Sequence, residues 1–599
     1  MRRTAVTLVC LAAVFPGVAK AADPIKSALA VIPGEAIGFV CVPSIKQLDS
    51  EWQQAVTNLG LQPFVQPPYN SPLALMQMFG QMTAGLDANG PLVFVQMPFE
   101  NPFEQSAHAA IVLPAEDPKA LIEAMGGQAG EGGVWSVPLF GMPMSAATGD
   151  KRVVLAQLPD VLKAVTDSKK SMVTKFKAKD LEMFKGLNLV LWLDGEKLLN
   201  TFKPQIDGFV GMITMMQAAS GPAGAKQAES FKKQVDMFVD GAQAVLIGVS
   251  LDPAGVGLRF ALDTKPGSEL AKQMKVKPAA GSLLQGLPAG KFMIAGGQVY
   301  TADQMKEMVK QFDPYFEMGD VVETIDADQL RILKNIFEDW APTIRGWHLS
   351  LEALPPGPSG VIGLSMLFDT SDSGRWLDSA GKAVNALKKL STDEDAQMIA
   401  SAVSYTEGAE EIAGKKVAHL KIDLAKIEQI EEEDVEEITA VLGEEGVLFR
   451  MAAVGSDTVA LSFGGGASYM NRLIEHADQG AAPLDNSPGI SKVAGHLSEN
   501  RVSEAYIAVD QIVACIGNVA KVLEDDEEFP FRMPKIDAPL AISSTVTEGV
   551  MQMDMFFPTE LVVAGKDLIL TVVGSGAIGG PGGPGGEVTI ENVPDNQEG

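Results

Sequence analysis

The sequence predicts an α+β protein made of two tandem related halves, residues 22–283 and 284–573, each a largely antiparallel sheet with helices packed on one face. Three observations support this prediction. A strand–helix unit occurs twice, at Ser145–Ala164 and at Ala452–His476. An apolar segment that leads into an acidic turn and a helix follows each copy, and two strands around a short turn come next in both. Features that recur in one order indicate internal duplication.

The two copies of the repeated unit share a small-residue run, a Gly/Asp turn, a short apolar strand, a break and an amphipathic helix. The strand is Val153–Ala156 in the first copy and Val459–Phe463 in the second. Strands joined by short turns pair antiparallel, and strict alternation of strands and helices is missing, so a parallel sheet is not expected. One sheet could run through both halves.

The chain begins with a signal peptide, residues 1–21. A basic start precedes an apolar run at Ala5–Val18, which is too short to span a bilayer. Ala19 and Ala21 fit the small-residue pattern of a cleavage site, so the mature chain is expected to begin at Ala22. This predicts export to the periplasm, the cell envelope or the extracellular space.

The first half opens with a strand at Ile37–Val42, which follows the Pro33-Gly34 turn and leads into a helix. Ser71 and Pro72 form a cap and first-turn pair, so a second helix begins there. Two further strands and a helix that stops at glycine then lead to the first copy of the repeated unit.

The second half begins near Gly286, where LPAGKFMIAGGQV echoes the IPGEAIGFVCV of the first half. Its segment Gly346–Ala380 predicts two strands and a helix capped by Asp369 or Thr370. Alignment of the halves also predicts a helix at Thr559–Val573. The remaining tail, residues 574–599, is rich in Gly and Pro and then polar, which predicts disorder.

The chain is strongly acidic, with a formal net charge of −29. The signal peptide carries three cationic residues and no acidic one, so its removal leaves −32. Such a field repels phosphate backbones, which argues against nucleic acid as a partner. No segment after the signal peptide reaches eighteen uninterrupted apolar residues, so no transmembrane segment is expected in the mature chain.

Two glycine motifs resemble phosphate or anion sites. The G-x-G-x-x-G at Gly574, Gly576 and Gly579 is followed by PGGPGG, where no helix can begin to hold a pyrophosphate. The triple glycine at Gly464–Gly466 could form an anion nest, but its counterpart in the first half contains no glycine. A tight turn is therefore the preferred interpretation.

No catalytic, cofactor-binding or metal-binding residue is predicted. The five histidines are scattered singly, without metal-ligand spacing. The acidic stretch at Ile427–Leu442 indicates a solvated helix, and residues 523–529 lack the glycine and alternating oxygen ligands of a calcium loop. The sequence leans towards a non-enzyme, although residues far apart in the chain could converge in a hydrolase site.

Two cysteines remain after cleavage, Cys41 in an apolar strand and Cys515 in an apolar helix. An exported chain can form a disulfide, but nothing in the sequence sets the distance between these residues. Two buried free thiols are preferred because unpaired cysteine packs as a small apolar residue.

Methionines occur in three clusters, at residues 76–82, 211–216 and 551–557. Methionine lines adaptable apolar surfaces, so these clusters could border a cleft for lipid-like cargo. Ordinary core is the preferred interpretation, because Met551, Met553 and Met555 alternate along one face of a strand.

The signal peptide, the opening I-P-G-E-A-x-G-F-V, the repeated G-D-(x)-V-x-L strand–helix unit and the Gly/Pro tail resemble large secreted proteins of unknown function in planctomycete-type bacteria. The resemblance implies export and a repeated α+β design, and it supplies no site residues. The sequence as a whole predicts a non-enzymatic exported protein of the periplasm or cell envelope, which acts as a scaffold or interaction protein with an envelope protein as partner. A carrier of apolar ligands is the alternative.

Overall fold

The computed structural model describes residues 24–99, 102–139, 141–176, 181–219, 221–310, 312–313, 326–390, 393–427, 430–480, 483–523 and 536–574. Within these residues a single sheet of twenty strands is the centre of the fold. The predicted class, α+β with a large antiparallel sheet, is confirmed. The predicted signal peptide, residues 1–21, and the tail beyond Gly574 lie outside the described residues.

The strands of the first half are β1 Gly38–Val42, β2 Leu92–Gln96, β3 Ala109–Pro114, β4 Gln128–Ala129, β5 Trp135–Leu139, β6 Met142–Gly149, β7 Arg152–Ala156, β8 Leu189–Asp194, β9 Ala242–Asp252 and β10 Gly255–Thr264. The strands of the second half are β11 Phe292–Val299, β12 Ile344–Ala353, β13 Ile362–Thr370, β14 Val403–Ile412, β15 Lys415–Ile422, β16 Val447–Ala453, β17 Thr458–Phe463, β18 Arg501–Ile507, β19 Leu540–Thr547 and β20 Val550–Pro558.

The helices of the first half are α1 Pro24–Val31, α2 Ile45–Asn58, α3 Pro72–Phe79, α4 Pro118–Ala124, α5 Pro159–Thr166, α6 Gly195–Ala218, α7 Pro222–Gly241 and α8 Glu269–Gln273. The helices of the second half are α9 Ala302–Lys310, α10 Ala327–Trp340, α11 Ser373–Leu387, α12 Glu394–Ala402, α13 Glu432–Leu442, α14 Gly466–Gln479, α15 Pro488–Ala494, α16 Val509–Leu523 and α17 Thr559–Gly574. The predicted helix at the end of the second half is present as α17.

All neighbouring strands of the sheet are antiparallel. The order across the sheet is β4-β5-β6-β7-β3-β2-β1-β8-β9-β10-β20-β19-β18-β11-β12-β13-β17-β16-β15-β14. The last strands of the two halves, β10 and β20, pair along their length, from Gly255 with Pro558 to Asp263 with Val550. This β10–β20 pair is called the seam below.

The pairing pattern of β1–β10 is repeated in β11–β20. Wherever two strands of the first half are neighbours, the strands numbered ten higher are neighbours in the second half. The predicted repeated units occupy matching positions: β7 lies between β6 and β3 and continues into α5, and β17 lies between β16 and β13 and continues into α14. Common ancestry of the halves and their boundaries at residues 22–283 and 284–573 stay predictions.

Helices cover both faces of the sheet, and not one face as the sequence predicted. In β7, Val154 and Ala156 pack with Val161 and Leu162 of α5, whereas the alternate residues Val153 and Leu155 belong to a second core with α4. In β17, Ala460 packs with α14, and Val459 packs with α11 on the opposite face. The reason is that Val153–Ala156 of β7 and Val459–Leu461 of β17 are apolar at consecutive positions, as in sheets that are buried on both sides.

One predicted helix cap is correct and another is displaced. The Ser71 hydroxyl accepts a hydrogen bond from the Ala74 amide at the start of α3, as predicted. The cap of α11 is Asp372, whose carboxylate accepts from the Arg375 amide, and not Asp369 or Thr370. Both of those residues belong to β13 and pair with β12, so the chain has no freedom to begin a helix there.

Candidate functional site

Helices α6 and α7 form a hairpin inserted between the neighbouring strands β8 and β9. The Asp194 carboxylate caps α6 by accepting a hydrogen bond from the Lys197 amide, and Gly241 at the end of α7 leads directly into β9. With 24 residues, α6 is about 36 Å long. The two helices pack mainly against each other, and they contact β8, β9 and α8.

The distal part of α6 presents four large apolar side chains to solvent. Phe209, Met212, Met215 and Met216 are 57%, 49%, 70% and 67% exposed, respectively, and are called the Met-Phe face below. Val210, on the other side of the helix, is buried, as is Ala228 of α7. The prediction that the methionines at residues 211–216 belong to the core is therefore wrong for all three of them. A two-helix hairpin buries only the side of each helix that faces the other.

Ion pairs lie on the polar sides of both helices. Lys203 pairs with Asp207 on α6 at 3.7 Å, and Lys232 pairs with Asp236 on α7 at 2.6 Å. Residues 195–241 contain five lysines and five acidic residues, so the hairpin carries no net charge in a chain of −29. The Met-Phe face is thus apolar, exposed and placed on an electroneutral element.

A second unusual feature is a row of buried serines in the second half. Ser350 of β12 pairs with Ser365 of β13, which pairs with Ser462 of β17. All three are at most 1% exposed, and their hydroxyls have no hydrogen-bond partner among the described residues. Alternation with apolar residues is typical of solvent-facing side chains, so the sequence pattern at these positions does not indicate a buried polar row.

Glu352, Tyr469 and Arg472 extend this polar row. Glu352 is buried, and its Oε2 accepts a hydrogen bond from Arg472 Nη2 at 3.2 Å. Burial raises the pKa of Glu352 and outweighs the opposing effect of Arg472. Burial and the nearby carboxylate likewise raise the pKa of Tyr469. The Tyr469 hydroxyl faces Ser365 and Glu352 without reaching hydrogen-bonding geometry with either.

The first half has an apolar row at the matching place. Val95 of β2 pairs with Ala110 of β3, which pairs with Ala156 of β7, and all three are buried. The fold therefore tolerates an apolar layer here. The serines of the second half bury hydroxyl groups without hydrogen-bond partners within the described ranges, which lowers the free energy of unfolding. The apolar row of the first half has no such hydroxyl groups to bury.

The seam carries a buried ion pair. Arg259 of β10 donates from Nε to Asp554 Oδ1 of β20 at 2.6 Å, and its Nη1 donates to the Met183 carbonyl at 3.0 Å. The second carboxylate oxygen of Asp554 accepts from the Gln552 amide group at 2.9 Å. Beside this pair lies a cleft of about 680 Å³, whose lining includes Arg259, His496 and Gln552.

His348 connects the sheet to the linker between the halves. Its Nδ1 lies 2.7 Å from the Leu283 carbonyl oxygen and its Nε2 lies 2.9 Å from Asp369 Oδ2. Both neighbours are acceptors, so the doubly protonated ring satisfies both contacts. Burial opposes the charged ring, but the hydrogen bond and charge of Asp369, together with the Leu283 carbonyl, outweigh it and raise the pKa of His348.

The His348 contacts predict a pH dependence of stability. A histidine whose pKa is higher in the folded chain contributes fully below its unfolded pKa, and this contribution is lost as pH rises through the folded pKa. The free energy of unfolding is therefore expected to fall from about pH 6 to pH 9, and to fall less in His348→Gln. Urea denaturation of the wild type and of His348→Gln across this pH range measures the two pH dependences. Equal slopes of the unfolding free energy against pH in the two chains would contradict the role assigned to His348.

The other residues that the sequence singled out form no reactive group. The glycines Gly464–Gly466 all adopt positive φ, and a Cβ on Gly464 would collide with the Ile362 carbonyl, so the stretch is a tight turn. The Gly465 amide donates to the Ser359 carbonyl. Cys41 and Cys515 are buried free thiols, as preferred. Of the second glycine motif, only Gly574 is described, at the end of α17.

The histidines do not cluster. Glu410 accepts hydrogen bonds from His419 Nε2 and Arg450 Nε, both at 2.7 Å. Burial would raise the pKa of Glu410, but these two donors outweigh it and lower the pKa. In the described part of the chain, no group of three or more His, Cys, Asp or Glu residues is arranged to hold a metal ion. The acidic stretch at residues 427–442 contains α13, and residues 524–529 lie outside the described residues.

The helices of the described ranges are all too short or too polar to cross a membrane. No protein-family model matches the chain, and no curated protein matches it. Among solved structures, crystal form III of TP0453 is similar over 48% of this chain and 97% of that chain, with 6% identity and a TM-score of 0.21. Crystal form I of TP0453 is similar over 49% and 99%, with 8% identity and a TM-score of 0.19.

Proposed function

We propose that this chain is a non-enzymatic exported interaction protein of the periplasm or cell envelope, which docks a partner through the Met-Phe face. The observation that carries the proposal is the exposure of Phe209, Met212, Met215 and Met216 on one stretch of α6. Soluble monomers rarely expose contiguous apolar patches larger than a few hundred Å², and larger ones mark interaction sites. Methionine adapts its shape to a partner surface because its side chain is flexible and polarisable.

Export comes from the predicted signal peptide and its cleavage before Ala22. The acidic charge keeps the remainder of the surface soluble and disfavours contact with nucleic acid. The proposed surface function is also compatible with the scattered positions of the histidines and with the buried state of Cys41 and Cys515.

Methionine oxidation in cells tests the docking. Peroxide converts exposed methionines to the sulfoxide, and a docked partner shields them. In intact host cells, Met215 and Met216 are expected to oxidise several-fold more slowly than in the purified protein at high dilution. Met78 of α3, which is 52% exposed, is the internal control and should react equally in both samples. Equal rates for Met215 and Met216 in cells and in dilute solution would exclude docking.

A second candidate function, a carrier of apolar ligands, rests on one face of the central sheet. The cross-strand neighbours Val249, Leu258, Met555 and Ile542 all point to this face and are each partly exposed. A half-exposed apolar face over four neighbouring strands could bind a lipid-like molecule. Native mass spectrometry of protein purified from its own host measures this, and a chain that carries no lipid would exclude the carrier.

A further inference from the structure

We infer that the partner docked on the Met-Phe face is a second copy of this chain, and that two α6–α7 hairpins form a four-helix bundle. This inference rests on the proposed docking function and names its partner. Each hairpin is half of such a bundle, because α6 and α7 are antiparallel neighbours connected by a short turn. In a two-fold dimer the same patch contacts itself, so one self-complementary surface is sufficient.

The spacing of the apolar side chains favours a helical partner. Phe209, Met212 and Met216 follow one another by three and four residues, which places them on a single narrow stripe, and Met215 flanks it. In coiled coils and helical bundles, an apolar stripe of this spacing is the contact line that a second helix covers. A helix that lies on a lipid surface has a broader apolar face and a strongly charged opposite face. The α6 stripe fits the first arrangement better.

The exposed apolar area supplies a large part of what a dimer interface needs. A large side chain has roughly 150–250 Å² to bury, so Phe209, Met212, Met215 and Met216 together leave on the order of 400–500 Å² exposed at their fractions of 49–70%. A standard interface buries about 800 Å² on each partner. The four side chains therefore supply about half of one side, and the adjacent surfaces of α6 and α7 extend the contact.

The charge distribution permits contact between two copies. Each copy carries −29, or −32 once the predicted signal peptide is removed, so two copies repel each other at close range. The hairpin itself has no net charge, and charges more than roughly 8 Å apart are largely screened at physiological ionic strength. Contact between the hairpins thus brings neutral surfaces together. The same −29 charge opposes an anionic lipid surface.

Sedimentation velocity of the full chain over a concentration series tests the inference. The wild type is expected to shift from monomer to dimer with rising concentration. Phe209→Ser/Met216→Ser should weaken the dimer about 10- to 100-fold, because the central apolar anchors of an interface carry most of its affinity. Met78→Ser/Phe79→Ser is the matched control, since it removes exposed apolar side chains of α3 and should leave dimerisation unchanged.

Two outcomes overturn the second copy as the partner. A wild type that stays monomeric up to about 100 µM would do so, as would equal dimerisation of the two double variants. Co-sedimentation of the monomer with phosphatidylcholine vesicles, lost in Phe209→Ser/Met216→Ser, would assign the face to lipid. If the protein is monomeric but Met215 and Met216 are shielded in cells, docking stands and only the partner is wrong. If they are unshielded in cells as well, both proposals fail.

Discussion

Replacing Asp554 with alanine is expected to lower the free energy of unfolding by about 3–5 kcal/mol. Asp554 is buried and joins β20 to Arg259 of β10, so its loss leaves a guanidinium that is only 16% exposed without its carboxylate. Removing one member of a buried pair costs far more than the pair itself contributes, because the remaining charge stays desolvated. Chemical denaturation followed by tryptophan fluorescence measures the change.

The control for this prediction is an exposed pair in the same chain. Asp236→Ala removes the carboxylate that faces Lys232 on α7, where both side chains are about half exposed. Water solvates the lysine left behind, so the loss is expected to be far smaller than in Asp554→Ala. Because Asp554 lies at the seam, its replacement should also weaken the pairing of β10 with β20. A loss in Asp554→Ala no larger than that in Asp236→Ala would contradict the role assigned to the seam.

Converting the serine row of the second half to the residues of the first half is expected to stabilise the chain. The variant Ser350→Val/Ser365→Ala/Ser462→Ala reproduces the row Val95, Ala110 and Ala156. A buried hydroxyl without a partner costs about 1–3 kcal/mol, so the triple variant should gain at least about 2 kcal/mol in the free energy of unfolding. Urea denaturation measures the gain.

The reverse exchange is the matched control. Ala110→Ser/Ala156→Ser places hydroxyls in the apolar row of the first half and should cost about 2–4 kcal/mol. If the triple variant gains unfolding free energy and the reverse exchange loses it, the serine row is a property of the second half and is not required by the fold. If the triple variant is destabilised, the three hydroxyls have partners in the folded chain, and the comparison between the halves loses its basis.

Local patterns predicted the elements well where one local interaction decides them. The cap at Ser71, the strand–helix units at β7–α5 and β17–α14, and the turn at Gly464–Gly466 each depend on neighbouring residues, and each is present. The cap of α11 was displaced to Asp372 because β13 continues through Thr370. That extension depends on pairing with β12, which a local pattern does not report.

Burial was predicted less well, and α6 and β12 show why. An alternating or helical pattern indicates which residues share a face, but not what covers that face. Met212, Met215 and Met216 have a core-like composition, yet the described residues place no third layer over the hairpin. Ser350 has the alternation of a solvent-facing residue, yet it is buried. In both cases the residue pattern alone does not report which layer covers the face.

The sequence by itself determined the α+β class, the strand–helix units at β7–α5 and β17–α14 and the tight glycine turn, because periodicity, caps and turn residues act over a few positions. It also carries the predicted signal peptide. Only the tertiary structure decided that one sheet crosses both halves at β10 and β20, that both of its faces are covered, and that the Met-Phe face stays exposed. These properties depend on contacts between residues far apart in the chain, such as Arg259 and Asp554, and burial is set by such contacts.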